Sequence, residues 1–288
     1  MRRLISLLAA LLLLLGSAVA QNQPQYLDVF IAKVKSGKRA DFDALNKKLV
    51  EANRAKGDHW VAMETVYGDN ATVTFISTRQ SYADIENGSK AFEGALIGAV
   101  GAEGMQKLFS DFGDTVDSTR EEIRVRRWDL STAPPADAAA RAKMVGAARW
   151  LRTVMVRVRP GHSADFEALL KDIKAAGERS ATPNPTLVSQ AVAGQQGTVY
   201  YVTALRSSLA GFDGNPSMQQ ILGDQGYQNF LKVTGEVVLN SETVINRFVP
   251  NLSNPPDETV AAAPDFWRPK TSAPAKAATP AKPKTNKK

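Results

Sequence analysis

The chain has 288 residues, 43% of them hydrophobic and 23% charged, which suits one large domain or two small ones and excludes disorder throughout. It has no cysteine, which excludes disulfides and thiolate chemistry, and its two histidines, His59 and His162, are too few for a multi-histidine metal centre. The formal charge of +7 suggests a polyanionic partner, but Arg2, Arg3 and six lysines from Lys270 onward more than account for it. The near-neutral remainder lacks the basic face that nucleic acid requires.

In chain order, residues 1–20 read as a signal peptide. Arg2 and Arg3 precede an apolar run, Leu4 to Leu15, too short to span a bilayer, and Ala18 and Ala20 take the small-residue positions of a cleavage site. The expectation is export to the periplasm or beyond, with a mature chain from Gln21. Tyr26 to Lys35 is an apolar, β-branched strand that ends at the Gly37 turn. Phe42, Leu45 and Leu49 then mark one face of a helix. Trp60 to Tyr67 and Ala71 to Thr78, split by Gly68-Asp69-Asn70, read as a hairpin. A broken helical region with Met105, Leu108, Phe109 and Phe112 leads to a strand, Glu121 to Trp128. Thr132 to Ala148, with Pro134-Pro135 and an alanine run, suits a crossover with a short helix.

The same order then returns. YLDVFIAKVKSGKRADFDAL from Tyr26 lies over WLRTVMVRVRPGHSADFEAL from Trp150 at an offset of 124, and GAEGMQKLFSDFGD from Gly101 over GDQGYQNFLKVTGE from Gly223 at 122. Gly68 pairs with Gly194, so insertions fall in loops, where they cost little. The predicted divisions are a leader at 1–20, a first repeat at 21–131, a linker at 132–148, a second repeat at 149–253 and a Pro/Ala/Lys-rich disordered tail at 254–288. Within the tail, Phe266-Trp267 is expected to pack back on the body.

Each repeat reads βαββαβ, the ferredoxin-like unit, whose sheet carries both helices on one face. Both parities of the first strand are apolar, so the other face also needs a cover. The predicted class is α+β, two ferredoxin-like repeats packed sheet to sheet as an intramolecular pseudo-dimer. Over residues 26 to 253, the strand, the Gly37 or Gly161 turn and the ADF(D/E)AL helix start resemble the dimeric α/β-barrel superfamily, with both units fused in one chain. That resemblance implies a fold shared by cofactor-free monooxygenases, haem-degrading enzymes and chlorite-dismutase-like haem proteins. Haem-binding members carry an axial histidine on a helix of the unit. Here no histidine lies between Gln80 and Asp117 or after Arg206, so no cofactor and no metal site is expected.

The candidate ligand-binding residues are His59, Glu64, Tyr67, Arg124, Gln190 and Tyr201. His59 precedes Trp60 in the first half only. Glu64 overlies Gln190 in mid-strand, and a carboxylate held between sheets would have a raised pKa and could accept a proton. Arg124 overlies Asn246, Asp28 overlies Arg152, and Tyr67, Phe75, Tyr200 and Tyr201 could wall an apolar pocket. These features lead first to an exported protein that binds a small apolar or aromatic ligand, or a partner, without catalysis. The alternative is a cofactor-independent monooxygenase or isomerase with one inter-sheet pocket, in which Glu64, His59 and Tyr67 handle protons. A second alternative is a structural envelope protein held on an anionic surface by the C-terminal lysines. A monomeric pseudo-dimer is expected in each case.

Overall fold

The computed structural model describes residues 25–180 and 184–269. The predicted leader and the lysines from 270 onward lie outside them. Strand β1 (Tyr26–Val34) is followed by helix α1 (Arg39–Asn53), the hairpin β2 (Val61–Tyr67) and β3 (Thr72–Arg79), helix α2 (Tyr82–Gly113) and β4 (Val116–Arg126). After α3 (Ala138–Ala147) come β5 (Trp150–Val158), α4 (Ser163–Glu178), β6 (Thr186–Ala193), β7 (Thr198–Arg206), α5 (Met218–Val237) and β8 (Val238–Phe248), then two short helices, α6 (Asp257–Ala261) and α7 (Pro264–Trp267). The linker residues thus hold a helix, started by the Asp137 side chain, which accepts from the Ala140 amide at 2.7 Å.

The breaks in α2 and α5 have one cause. Gly101 and Gly223, which the sequence register pairs, leave helical geometry at φ +73° and +70°, a region that glycine enters freely. The end strands begin earlier than the apolar pattern suggested. Val116 to Arg120 and Val238 to Ser241 pair in the ladder although most of them are exposed, because cross-strand hydrogen bonds do not require an apolar side chain.

The eight strands form one closed antiparallel barrel in the order β1-β3-β2-β8-β5-β7-β6-β4. The sheets of the two halves therefore do more than face each other: β2 pairs with β8, Glu64 opposite Arg247, and β4 pairs with β6, Arg126 opposite Ser189. Alternation along each strand then separates two environments. On β1, Leu27 and Ile31 face the barrel interior, while Phe30, Ala32 and Val34 pack outward with Phe42 of α1. On β5, Leu151, Thr153 and Met155 face inward, while Val154 and Val156 face α4 and α5.

One end of the barrel is closed by an apolar plug. Val145 and Ala148 from the linker, and Val260, Ala263, Phe266 and Trp267 from the C-terminal side, pack on Met63, Leu151, Leu205 and Phe248. Trp267 is 2% exposed, and its indole N–H donates to the Gly146 carbonyl at 2.9 Å. The expectation of a structureless segment from residue 254 is thereby corrected for residues 254–267. Phe266 and Trp267 bury enough apolar surface to hold that stretch in place, a Trp or Phe side chain being worth about 1.5–3 kcal/mol on burial.

Candidate functional site

Two cavities follow from the alternation of side chains, one on each side of the barrel wall. The larger, about 1040 Å³, lies outside the wall in the second half, between β5 and β7 on one side and α4 and α5 on the other. Its body is apolar, with Val154, Val156, Phe166, Leu170, Ile173 and Val202 among its walls. The matching space in the first half is filled by four tilted rings: Phe30 lies 6.1 Å from Phe75 and 6.0 Å from Phe112, and Phe42 lies 5.5 Å from Phe112. Strand register and helix offset show why. Phe30 stands opposite Phe75 as Val154 stands opposite Val202, and Phe112 overlies Thr234. Three phenylalanines are replaced by two valines and a threonine, and the lost volume is the groove.

The charges differ in the same way. At the end of β3, Arg79 donates to both carboxylate oxygens of Asp58 (2.6 and 2.5 Å), and Asp28 stands 3.5 Å away. The register places Arg206 where Arg79 stands and Arg152 where Asp28 stands. Arg206 donates to the carbonyls of Gly211 and Leu205 and to the Asn215 side-chain oxygen, all neutral acceptors. Arg152 makes no hydrogen bond or ion pair among the described residues, and both guanidinium groups lie 5.6 Å from the Phe212 ring. Burial, then the Arg152 charge, hold the Arg206 pKa below its ordinary value. An acid in the first half thus becomes a further cation beside Arg206 in the groove of the other, whose lining also holds Arg179.

The smaller cavity, about 430 Å³, is the barrel interior. There β4 presents Arg120, Glu122, Arg124 and Arg126 on one face, spaced by two. Glu122 is 1% exposed. It accepts from Arg124 at 2.7 Å, from the Tyr201 hydroxyl at 2.7 Å and from Gln195 at 2.7 Å, and pairs with Arg120 at 2.8 Å. Burial works to raise its pKa, but the Arg124 charge, the two neutral donors and the Arg120 charge outweigh burial and keep it below the usual carboxylate range. Tyr201, its ring 3.5 Å beneath the Arg124 guanidinium, is pushed up to about 12 by burial and by Glu122. Gln195 reaches this cluster because Gly194, at φ +82°, lets the β6–β7 turn lie on β4; a Cβ there would stand 2.0 Å from the Glu121 carbonyl oxygen.

Of the residues singled out in the sequence, Arg124 and Tyr201 meet inside the barrel. The others do not join them. Glu64 points outward, between Arg39 of α1 (2.7 Å) and Arg247 of β8 (2.5 Å). Burial raises its pKa, but the hydrogen bonds from both arginines prevail and lower it, which corrects the expected raised value. Gln190 also points outward and accepts from Arg127 at 2.9 Å. His59 is exposed at a strand edge, its ring nitrogen 3.3 Å from the Asn254 carbonyl, and Tyr67 is 55% exposed at the end of β2. Glu64, His59 and Tyr67 therefore form no proton-handling set. Glu122 and Arg126 were missed, although the Arg-x-Glu-x-Arg-x-Arg alternation from Arg120 marks one strand face that is charged throughout.

No family model matches the chain, and no curated protein matches it. Solved structures do. An anthrone oxidase-like protein is 12% identical with a TM-score of 0.51, over 80% of this chain and 93% of its own. A candidate monooxygenase of Fusobacterium nucleatum is 8% identical with a TM-score of 0.48, over 79% and 93%. The chlorite dismutase of Candidatus Nitrospira defluvii is 12% identical with a TM-score of 0.42, over 82% and 94%. At such identities the likeness is one of fold. It corrects the expectation of a binding protein without catalysis at the level of fold, since the anthrone oxidase-like protein that shares this architecture is named for an enzyme. Haem does not fit the residues present: no histidine or cysteine lines either cavity, and His162 sits in the turn before α4 on Asp165 at 3.0 Å. With its closed antiparallel barrel of eight strands and helices packed outside it, the chain has the dimeric α/β-barrel fold, which it shares with the anthrone oxidase-like protein.

Proposed function

We propose that the chain is a cofactor-independent enzyme of the monooxygenase or isomerase type, and that its substrate binds in the groove between the second-half sheet and helices α4 and α5. The observation that carries this reading is the contrast at matched positions: packed phenylalanines and a neutralised arginine in one half, an open apolar groove with Arg152 beside Arg206, a third arginine, Arg179, and no acid in its lining in the other. The apolar walls suit an aromatic or polyketide-like body. Arg152 and Arg206 suit an oxygen that becomes anionic, a phenolate or enolate, which a desolvated guanidinium stabilises more than water does.

No carboxylate or histidine lines the groove, so the substrate's own acidity has to supply the carbanion that reacts. The arginines would lower the pKa of an activated C–H or phenolic O–H, and the proton would leave to solvent. Oxygenation of an activated methylene to a carbonyl then balances without a cofactor: the carbon loses four electrons, O2 accepts them, one oxygen atom enters the product and the other leaves as water. Without O2, reprotonation at another carbon gives an isomer. We also propose that the halves are tandem ferredoxin-like repeats forming a monomeric pseudo-dimer, a reading supported by the recurring element order and the paired Gly101 and Gly223. The apolar run and small residues before Gln21 support export.

The test is oxygen uptake and product analysis with anthrone and a panel of naphthols and 1,3-dicarbonyl aromatics. The expected result is turnover by the full chain that falls more than about 100-fold when Val154→Phe and Val202→Phe refill the groove as Phe30 and Phe75 fill the first half. Turnover unchanged in that double variant, or absent across the panel in an oxygen and an isomerisation assay alike, would sink the reading.

A further inference from the structure

We propose that the barrel interior is a second, separate ligand site, which takes a small organic carboxylate on Arg126. The inference goes beyond the groove and does not rest on it, because the wall of the barrel stands between the two cavities.

Inside the barrel the charges nearly all have partners. Arg120 and Arg124 share Glu122, and Lys33 pairs with Asp69 at 2.9 Å near the open end. Among the described residues the exceptions are Glu242, which is exposed to solvent, and Arg126. The latter lines the cavity toward the plugged end, opposite Ser189, yet makes no side-chain hydrogen bond or ion pair among the described residues, and its Nε is sealed from solvent with nothing to donate to. Its guanidinium lies 5.6 Å from the Trp128 ring. Gln25 stands across from it, since the Arg126 amide donates to the Gln25 carbonyl at 2.7 Å, and the Gln25 Nε2 is a second buried donor without an acceptor. Burial, then the charges of Arg124 and Arg141, push the Arg126 pKa down to about 10, so the guanidinium stays charged at neutral pH in a place that disfavours it.

Arg126, cationic and lining the cavity, calls for an acceptor that carries negative charge, and Gln25, just before β1, adds a second buried donor without an acceptor beside it. The walls narrow the class. Leu27, Leu151, Leu187 and Leu205 surround the plugged end, with Thr78 opposite Leu27 and Asn246 opposite Leu151, and Thr74, Thr153 and Thr203 continue the lining toward the open one. A carboxylate fits the fork of Arg126 in a planar, two-point contact, and a short apolar body fits among the leucines. A fully hydrated dianion such as phosphate would lose its water against those same leucines with too few donors to replace it.

The test is isothermal titration of the full chain with benzoate and butyrate in chloride-free buffer at pH 7, with sodium phosphate and sodium chloride as controls. Expected is saturable one-to-one binding of benzoate, weakened at least tenfold by Arg126→Met and to a lesser degree by Arg126→Lys, and unchanged by the groove-filling Val154→Phe/Val202→Phe pair. Phosphate or chloride binding as tightly as benzoate would overturn the proposal, as would affinity that survives Arg126→Met or vanishes when the groove is filled. Should Arg126→Met fail to fold, ¹⁵N spectra of the wild-type arginine side chains decide: the Arg126 Nε–H resonance shifts with benzoate if the proposal holds and stays in place if it does not.

Discussion

The two halves of the molecule share an order of elements and differ in what fills the space between sheet and helices. In the first, Phe30, Phe42, Phe75 and Phe112 close that space and Arg79 is neutralised by Asp58 and Asp28. In the second, Val154, Val202 and Thr234 leave a groove, and Arg152 replaces the acid that would have neutralised Arg206. The lesson is that a cavity and its charge can be made by a handful of changes at matched positions on an unchanged scaffold. One half keeps the packing that stabilises the barrel, and the other gives some of it up for a site.

The largest expected effect tests the packing side of this contrast. Phe42→Ala opens a void in a filled core and should cost about 3–5 kcal/mol, whereas Phe166→Ala, whose ring already borders the groove, should cost less by about 1–2 kcal/mol. Chemical denaturation of both variants measures the difference, and equal losses would show the second-half core to be as tight as the first.

The barrel interior belongs to both halves and serves as the internal control. Glu122→Gln removes the carboxylate that Arg120 and Arg124 share, and should cost about 3 kcal/mol at pH 7. Because the folded-state pKa of Glu122 lies below its unfolded value, its contribution is present above the ordinary carboxylate range and is lost as pH falls through the folded pKa. The stability curve of the variant should therefore be flatter than that of the parent on the acid side. A parallel acid limb would mean that Glu122 is not a source of the pH dependence.

The charge side gives the smallest effect on stability and the sharpest on binding. Arg152→Asp rebuilds the first-half arrangement, a carboxylate facing Arg206 as Asp28 faces Arg79. It should leave the midpoint of thermal unfolding unchanged or slightly raised and weaken an anionic groove ligand by about 10- to 100-fold, or 1.4 to 2.7 kcal/mol. Equilibrium binding of a naphtholate inhibitor reads it out, and an unchanged affinity would remove the arginines from the site.

Much of this architecture could be read from residue order. The offset that aligned Gly101 with Gly223 also located the breaks in α2 and α5, and the Gly37 and Gly161 turns located the ends of the first strands. The site was less legible. Asp28 and Arg152 were seen to be an unlike pair, but their meaning depends on Arg79 and Arg206, which approach them only when β1 meets β3 and β5 meets β7. Glu64 was misjudged for a similar reason: Arg39 and Arg247, which lower its pKa, come from a helix and from a strand 183 residues away. Alternation in a strand tells which residues share a face, and closure of the barrel decides which face is inside.

That closure also shapes how the chain must reach its native state. The seam between β2 and β8 joins Met63 to Phe248, and the plug adds Trp267 from still farther along the chain. Contacts of such long range form late and slowly, since the intervening chain must be ordered before they are rewarded. Until β8 arrives, β2 is an open strand edge, the kind of surface that pairs readily with another chain. A ring with no free edge when complete is therefore most at risk of aggregation just before its last strand docks.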